Sequence, residues 1–339
     1  FCVRLLFCQT TCRCTQGLRR APHGTVGMKL ANMTTCTLNH DSTPRVAYLG
    51  PPGSFTQIAA ETLTRNFSGA TIFSMGSPSE VIGTLHCGTA EYACLAFENS
   101  VEGAVTSTYD ALTESGPVQI YGEADISIAF NIMTLPNQRT IRRLSAHPVA
   151  FRQIRSWVKQ SLPEAEFVPA SSNSAAAEAV MRGEMDAAAA PSRAEELFGL
   201  ESIARDIADF PNAKTRFILV GLPGKPPART GHDRTSVFFS LPNKPGSLVG
   251  ALQDFSQRGV DLSRIESRPT RDVLGNYRFF VDLIGHIEDQ AVAEALRALK
   301  MRAEDLLFLG SWPAATPAGR PPRNITAADD WVARARRGQ

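Results

Sequence analysis

Apolar positions along the chain follow two rhythms, and where they change marks out the elements. Arg45–Leu49 reads as a buried strand, Gly50–Gly53 breaks it, and Ser54-Phe55-Thr56-Gln57 opens an amphipathic helix toward Leu63. Ala70–Ser74 predicts a strand and Pro78–Leu85 a helix. Tyr92–Phe97 predicts a strand, followed by the polar run Glu98–Gly103 and a helix through Tyr109 and Leu112. The long β stretch Val118–Leu135 looks like a crossing into a second α/β unit. That unit holds Ile141–Pro148, a helix presenting Phe151, Ile154, Trp157 and Val158 on one face, and Phe167-Val168. Ser171–Ser174 then starts an alanine-rich helix from Ala175 to about Arg182, and Asn212–Phe217 opens the strand Ile218-Leu219-Val220.

Residues 222–234 combine proline, glycine and charge without periodicity, which predicts a linker between domains 45–221 and 235–313. Beyond it, Ser236–Leu241 is a strand, and Pro245 starts a helix through Leu248, Leu252 and Phe255 that Gly259 ends. Val260–Ser267, a turn at Asp272–Gly275, the strand Tyr277–Ile284, a helix Ala291–Leu299 and the strand Leu306–Leu309 complete an α+β, ferredoxin-like βαββαβ order. Residues 314–339 carry no core pattern and are expected to be disordered.

At 339 residues, with 43% hydrophobic and 20% charged, the chain suits two or three ordinary globular domains. Residues 1–44 are expected to be an unstructured leader, either transit-like or a non-native extension ahead of Met28 or Met33. They carry Arg4, Arg13, Arg19, Arg20 and Lys29 but no acid before Asp41, so the body is slightly acidic and no nucleic-acid partner is expected. No run approaches the roughly 18 apolar residues of a membrane helix. Five of the seven cysteines lie in the leader, and no zinc-like double Cys-x-x-Cys pattern exists. A reducing, cytoplasmic setting is expected, or a plastid if the leader is a transit peptide.

Three strand–polar turn–helix junctions, at Gly50–Thr56, Glu98–Gly103 and Ser171–Ser174, leave backbone N–H groups facing whatever sits in each turn. None is a phosphate loop or a dinucleotide fingerprint, so together they suggest a small polyanion rather than a nucleotide. Thr215-Arg216-Phe217 adds a hydroxyl, a guanidinium able to grip a carboxylate and an apolar wall. His147 suits acid–base chemistry, but a structural histidine beside Pro148 is the stronger reading.

The body resembles the prephenate dehydratase family, which includes the similar arogenate dehydratases. The motifs that carry this are Gly50-Pro51-Pro52-Gly53-Ser54-Phe55-Thr56, Glu98-Asn99-Ser100-Val101-Glu102-Gly103, Ser145-Ala146-His147-Pro148, the Ser171-Ser172 helix start and Thr215-Arg216-Phe217, in order over the catalytic part. The second domain resembles an ACT domain through Asn243-Lys244-Pro245-Gly246-Ser247-Leu248 and Glu266-Ser267-Arg268-Pro269. Two departures are visible: Ser247 stands where the family usually has alanine, and Ala96-Phe97 where Pro-Ile is common.

The resemblance implies a two-lobed, periplasmic-binding-protein-like α/β catalytic domain with its site in the cleft, plus the ACT domain. It implies decarboxylative dehydration of prephenate to phenylpyruvate without metal or organic cofactor, feedback regulation by L-phenylalanine, and a homodimer or homotetramer built through the ACT domain. Arogenate, giving phenylalanine directly, and a non-catalytic amino-acid-sensing module are the alternatives. Thr215 is expected to activate the leaving hydroxyl and Phe217 to shape the pocket. Arg216, Ser54, Phe55, Thr56, Asn99, Ser100, Ser171 and Ser172 are expected to hold substrate. Asn243, Gly246, Ser247, Leu248, Glu266, Ser267, Arg268 and Pro269 are expected to hold the effector.

Overall fold

A computed structural model describes residues 43–270, 277–317, 319–323 and 326–339; the leader expectation (all but its last two residues) and the turn at Asp272–Gly275 lie outside them. The first lobe comprises β1 (Arg45–Leu49), α1 (Phe55–Leu63), β2 (Thr71–Met75), α2 (Pro78–His86), β3 (Tyr92–Asn99), β4 (Gly103–Ala104), α3 (Thr106–Glu114) and β5 (Gln119–Ser127). The second comprises β6 (Phe130–Thr134), β7 (Arg143–Ala146), α4 (Pro148–Arg152), α5 (Arg155–Ser161), β8 (Glu166–Pro169), α6 (Asn173–Met181), β9 (Ala187–Ala190), α7 (Arg193–Phe198) and β10 (Glu201–Ile207). The chain then returns to the first lobe as β11 (Lys214–Gly221).

Sheet order in the first lobe is β2-β1-β3-β11-β5, with β4 paired to β3; in the second it is β10-β6-β9-β7-β8. Parallel pairing of β1 with β2 and β3 follows from the intervening helices, and the central strands β1 and β3 bury both faces while edge strand β2 does not. The crossing foreseen over Val118–Leu135 is two strands rather than one. The break falls between Ser127 and Phe130, where Ile128 N donates to Ala213 O of the returning segment at 2.8 Å. The helix expected around Trp157 is likewise divided into α4 and α5, and the Asp209 carboxylate caps α5 by accepting from Ser156 N at 2.8 Å.

The C-terminal domain runs β12 (Asp233–Ser240), α8 (Ser247–Ser256), β13 (Leu262–Pro269), β14 (Tyr277–Ile284), α9 (Gln290–Arg302) and β15 (Asp305–Pro313). Its sheet order, β13-β14-β12-β15, is the ferredoxin-like arrangement. The last strand is longer than its apolar run suggested because its end packs on the first lobe. A Cβ at Gly310 would stand 2.4 Å from Ile120 O, and buried Trp312 joins the first lobe's core. The tail expected to be disordered is held in part: Ala315 N donates to Glu123 at 3.0 Å, Thr316 Oγ1 to Asp125 at 2.7 Å, and Thr326–Arg336 forms an exposed helix, α10.

Candidate active site

A cavity of about 320 Å³ lies between the lobes, walled by Phe55, Phe130, Ile128 and Phe217. β11 sits between β3 and β5, so its backbone is paired on both sides and its side chains alternate between faces. Thr215 and Phe217 line the cavity. The alternation sends Arg216 to the opposite face. There Arg216 meets Glu98 at 2.9 Å and Asp282 of β14 at 3.0 Å, with its side chain 15% exposed. Arg216 is therefore not the expected substrate grip, because a strand cannot aim three consecutive side chains into one site.

Asn99 fixes the chemistry of Thr215. The Asn99 Oδ1 accepts from Val101 N at 2.8 Å and Glu102 N at 2.9 Å, which leaves its NH₂ to donate to Thr215 Oγ1 at 2.8 Å. With its oxygen already accepting, the Thr215 hydroxyl is free to donate into the cavity.

The three polar junctions converge, joined by a fourth. First-turn residues Phe55 and Thr56 of α1, Val149 and Ala150 of α4 and Asn173 of α6 line the cavity, as does Val105 at the start of α3. Amides in a helix's first turn lack intrahelical acceptors and carry positive potential. Serines flanking them play supporting parts instead of lining the cavity: Ser54 accepts from Gln57 N and Ser172 from Ala175 N as N-caps, and Ser100 Oγ accepts from Lys214 N at 2.9 Å. Ser171 is exposed outside the cavity. In a sequence, a capping serine and a ligand-binding serine look alike.

Residues from the second lobe complete the wall without having been singled out as ligands. His147 lines the cavity while its Nδ1 accepts from Val149 N at 3.3 Å, which places the neutral ring's proton on Nε2. Burial, then the neighbouring Arg152, lowers its pKa, so at neutral pH it is a hydrogen-bond donor rather than a cation. Asn173 Oδ1 accepts from His147 N at 2.9 Å, and buried Gln153 keeps an unpartnered Oε1. Asn173 adjoins a helix start that the sequence flags; Gln153 has no sequence signal. Glu102 also lines the cavity and ties the lobes together by accepting from Arg152 at 2.9 Å. Among the described residues no lysine or arginine lines the cavity itself.

In the C-terminal domain, Asn243, Ser247 and Leu248 line a groove of about 130 Å³ with Tyr277 and Phe279, and Gly246 begins α8 at φ 83°. Glu266, Ser267, Arg268 and Pro269 do not line it but lie beside it on edge strand β13, where Ser267 pairs with Phe279 and Pro269 with Tyr277. Arg268 is instead tied to α3, donating to Thr106 O at 2.8 Å and pairing with Asp110 at 3.2 Å.

Comparison with known proteins bears on the family and the fold. The family model for prephenate dehydratase matches residues 46–225, and that for the ACT domain matches 235–300. A prephenate dehydratase from Corynebacterium glutamicum is 48% identical over 314 residues, covering 88% of this chain and 98% of that relative. Among solved structures, the prephenate dehydratase of Arthrobacter aurescens in complex with L-Phe superposes with a TM-score of 0.78 at 38% identity, over 86% of this chain and 99% of that one. GqqA, described as a novel type of quorum quenching acylase, has a TM-score of 0.72 at 30% identity, over 80% of this chain and 98% of that one. From the family-model match and from relatives similar over nearly their whole length, this chain belongs to the prephenate dehydratase family.

Proposed function

We propose that this chain converts prephenate to phenylpyruvate, with Thr215 donating a hydrogen bond to the departing hydroxyl oxygen. The observation that carries this is the Asn99–Thr215 hydrogen bond, which occupies the threonine oxygen as an acceptor and so supports a hydroxyl free to donate into the cavity. As the carbon–carboxylate bond breaks, its electron pair enters the ring, the carbon–oxygen bond opens, and the product becomes aromatic. Much of the driving force is in the substrate, and the enzyme orients it and stabilises the charge growing on oxygen. First-turn amides and the His147 Nε2–H are the anchors offered to the substrate's carboxylates.

Acyl transfer, as named for GqqA, would need an activated nucleophile. Among the described lining residues the only hydroxyls belong to Thr56 and Thr215, and the latter accepts a hydrogen bond from the Asn99 amide, which is not a base that could take its proton. Prephenate is preferred over arogenate on the resemblance alone, and side-by-side specificity constants for the two substrates decide between them.

L-Phenylalanine is the proposed effector, bound between two copies so that the Asn243–Leu248 loop of one faces the Glu266–Pro269 strand of the other. The active form is then at least a dimer, and sedentation velocity with and without phenylalanine checks that. The test of the activity is formation of phenylpyruvate from prephenate by the wild type and by Thr215→Ala. Turnover should fall by ~10² in the variant with little change in KM, as for a lost oxyanion-type contact. Wild-type turnover in Thr215→Ala would sink the assignment.

A further inference from the structure

Behind the cleft, six charged side chains from two domains are packed together. Glu98 of β3, Glu123 of β5 and Arg216 of β11 belong to the cleft domain; Arg234 of β12, Arg264 of β13 and Asp282 of β14 belong to the C-terminal domain. Arg216 bridges the groups, meeting Glu98 at 2.9 Å, Asp282 at 3.0 Å and Glu123 at 3.8 Å. Arg264 Nε lies 2.9 Å and Arg234 Nη1 4.0 Å from Asp282, and Arg234 Nε lies 3.3 Å from Glu123. The cleft side contributes two acids and one base, the other side two bases and one acid. Each half alone carries an unbalanced charge, and only the docked pair is neutral.

Two strands connect this cluster to the two sites. β11 presents Thr215 and Phe217 to the cleft and Arg216 to the cluster. β14 presents Tyr277 and Phe279 to the C-terminal groove and, on its other face, Phe280 and Asp282 to the first lobe. The ladder between β11 and β3 shifts register between Arg216 and Phe217, while pairing to β5 runs on through both residues. Asp282, fully buried, holds the Arg216 side chain at that point.

We propose that Asp282 is a positioning residue for the reaction: by gripping Arg216 from behind, it sets where Thr215 and Phe217 stand in the cleft, so the C-terminal domain completes the active site. This rests on the dehydratase reading above for its kinetic consequence, but not for its structural one. A ligand in the groove that shifts β14 acts on the same strand that carries Asp282, which gives an effector a short physical route to Thr215.

Asp282→Asn tests this, because it removes the negative charge and leaves one acceptor oxygen where Arg216 and Arg264 now share two. The control is Asp254→Asn, which breaks a 2.9 Å pair with Arg302 on the far helices of the same domain. Asp282→Asn should lower kcat by about tenfold with KM within about twofold, whereas Asp254→Asn should leave both unchanged. Hydrogen exchange at the amides of residues 214–217 reads the same effect without substrate. It should quicken by about tenfold or more in Asp282→Asn only. Unchanged exchange there, or equal effects in the two variants, overturns the proposal. An inactive wild type with the exchange difference intact would instead remove the dehydratase reading and leave the positioning role standing. Should Asp282→Asn not fold, Asp282→Glu, which keeps the charge but displaces it by one methylene, carries the same expectations at smaller size.

Discussion

On the cleft face of β11, Thr215 is held by one neutral hydrogen bond in a cavity that no described lysine or arginine lines; on its reverse face, one residue along, Arg216 sits among the carboxylates of Glu98, Glu123 and Asp282. The cleft face leaves a proton donor unspent, to be used by a ligand. The reverse face spends its charges on one another. A hydroxyl can wait for a substrate at little cost, whereas an unpaired buried charge cannot. That difference explains why the charged member of Thr215-Arg216-Phe217 serves the domain junction and its neutral neighbours serve the cavity.

The contrast breaks most directly at Arg216. Arg216→Ala leaves Glu98 and Asp282 without their shared partner and should cost ~3–5 kcal/mol of stability in urea unfolding. A loss under ~1 kcal/mol would show that the reverse face is not electrostatically tight. The matched experiment on the cleft face is the ~10² loss of turnover in Thr215→Ala, about 2.7 kcal/mol of transition-state energy, with the fold intact.

Acid sharpens the comparison next. Burial by itself would raise the Asp282 pKa, but Arg264, Arg216 and Arg234 outweigh it and hold it at about 2, below the usual 3.8. A depressed carboxylate gives its stabilisation fully above its unfolded pKa and loses it as pH falls through the folded value. The stability difference between wild type and Asp282→Asn should therefore shrink by about 2 kcal/mol between roughly pH 5 and pH 2. A difference independent of pH in that window would remove the ionic account of the junction.

A smaller effect is expected from Asn99→Asp. The carboxylate can still accept from Val101 N and Glu102 N, but it cannot donate to Thr215, whose hydroxyl would turn toward it instead. Turnover at neutral pH should drop roughly tenfold, and an unchanged rate would mean the hydroxyl is oriented by something else. Smallest is Glu102→Gln, which removes the pair with Arg152 across the lobes. The two side chains are 36% and 55% exposed, so stability should change by no more than ~1 kcal/mol, and less at high salt.

Much of this architecture was legible before any coordinates. The βαββαβ order followed from period-two and period-3.6 runs, and the helix starts at Ser54 and Ser172 followed from capping chemistry. Even the side taken by Arg216 was implied by strand alternation once Ile218-Leu219-Val220 was read as a strand. What misled was chemical appeal: an arginine between a threonine and a phenylalanine looks like a carboxylate clamp until the pleat is applied. His147 and Gln153 lie some sixty residues from Thr215, on or beside a five-residue helix whose local pattern reports only packing. Ala315 and Thr316, just beyond Pro313, belong to no apolar run of their own and are held by Glu123 and Asp125 across the fold.

By itself the sequence determined most strands and helices and the family motifs, because these rest on spacing and residue type within short windows, while β9, α7 and β10 gave no such pattern. Only the tertiary structure decided that four helix starts share one cavity, that Asn99 frees the Thr215 proton, and that Arg216 is neutralised by a carboxylate of another domain. Those outcomes depend on pairing between residues far apart in the chain. Local physics places each residue on its strand or helix, but only the packed sheets decide what each one faces.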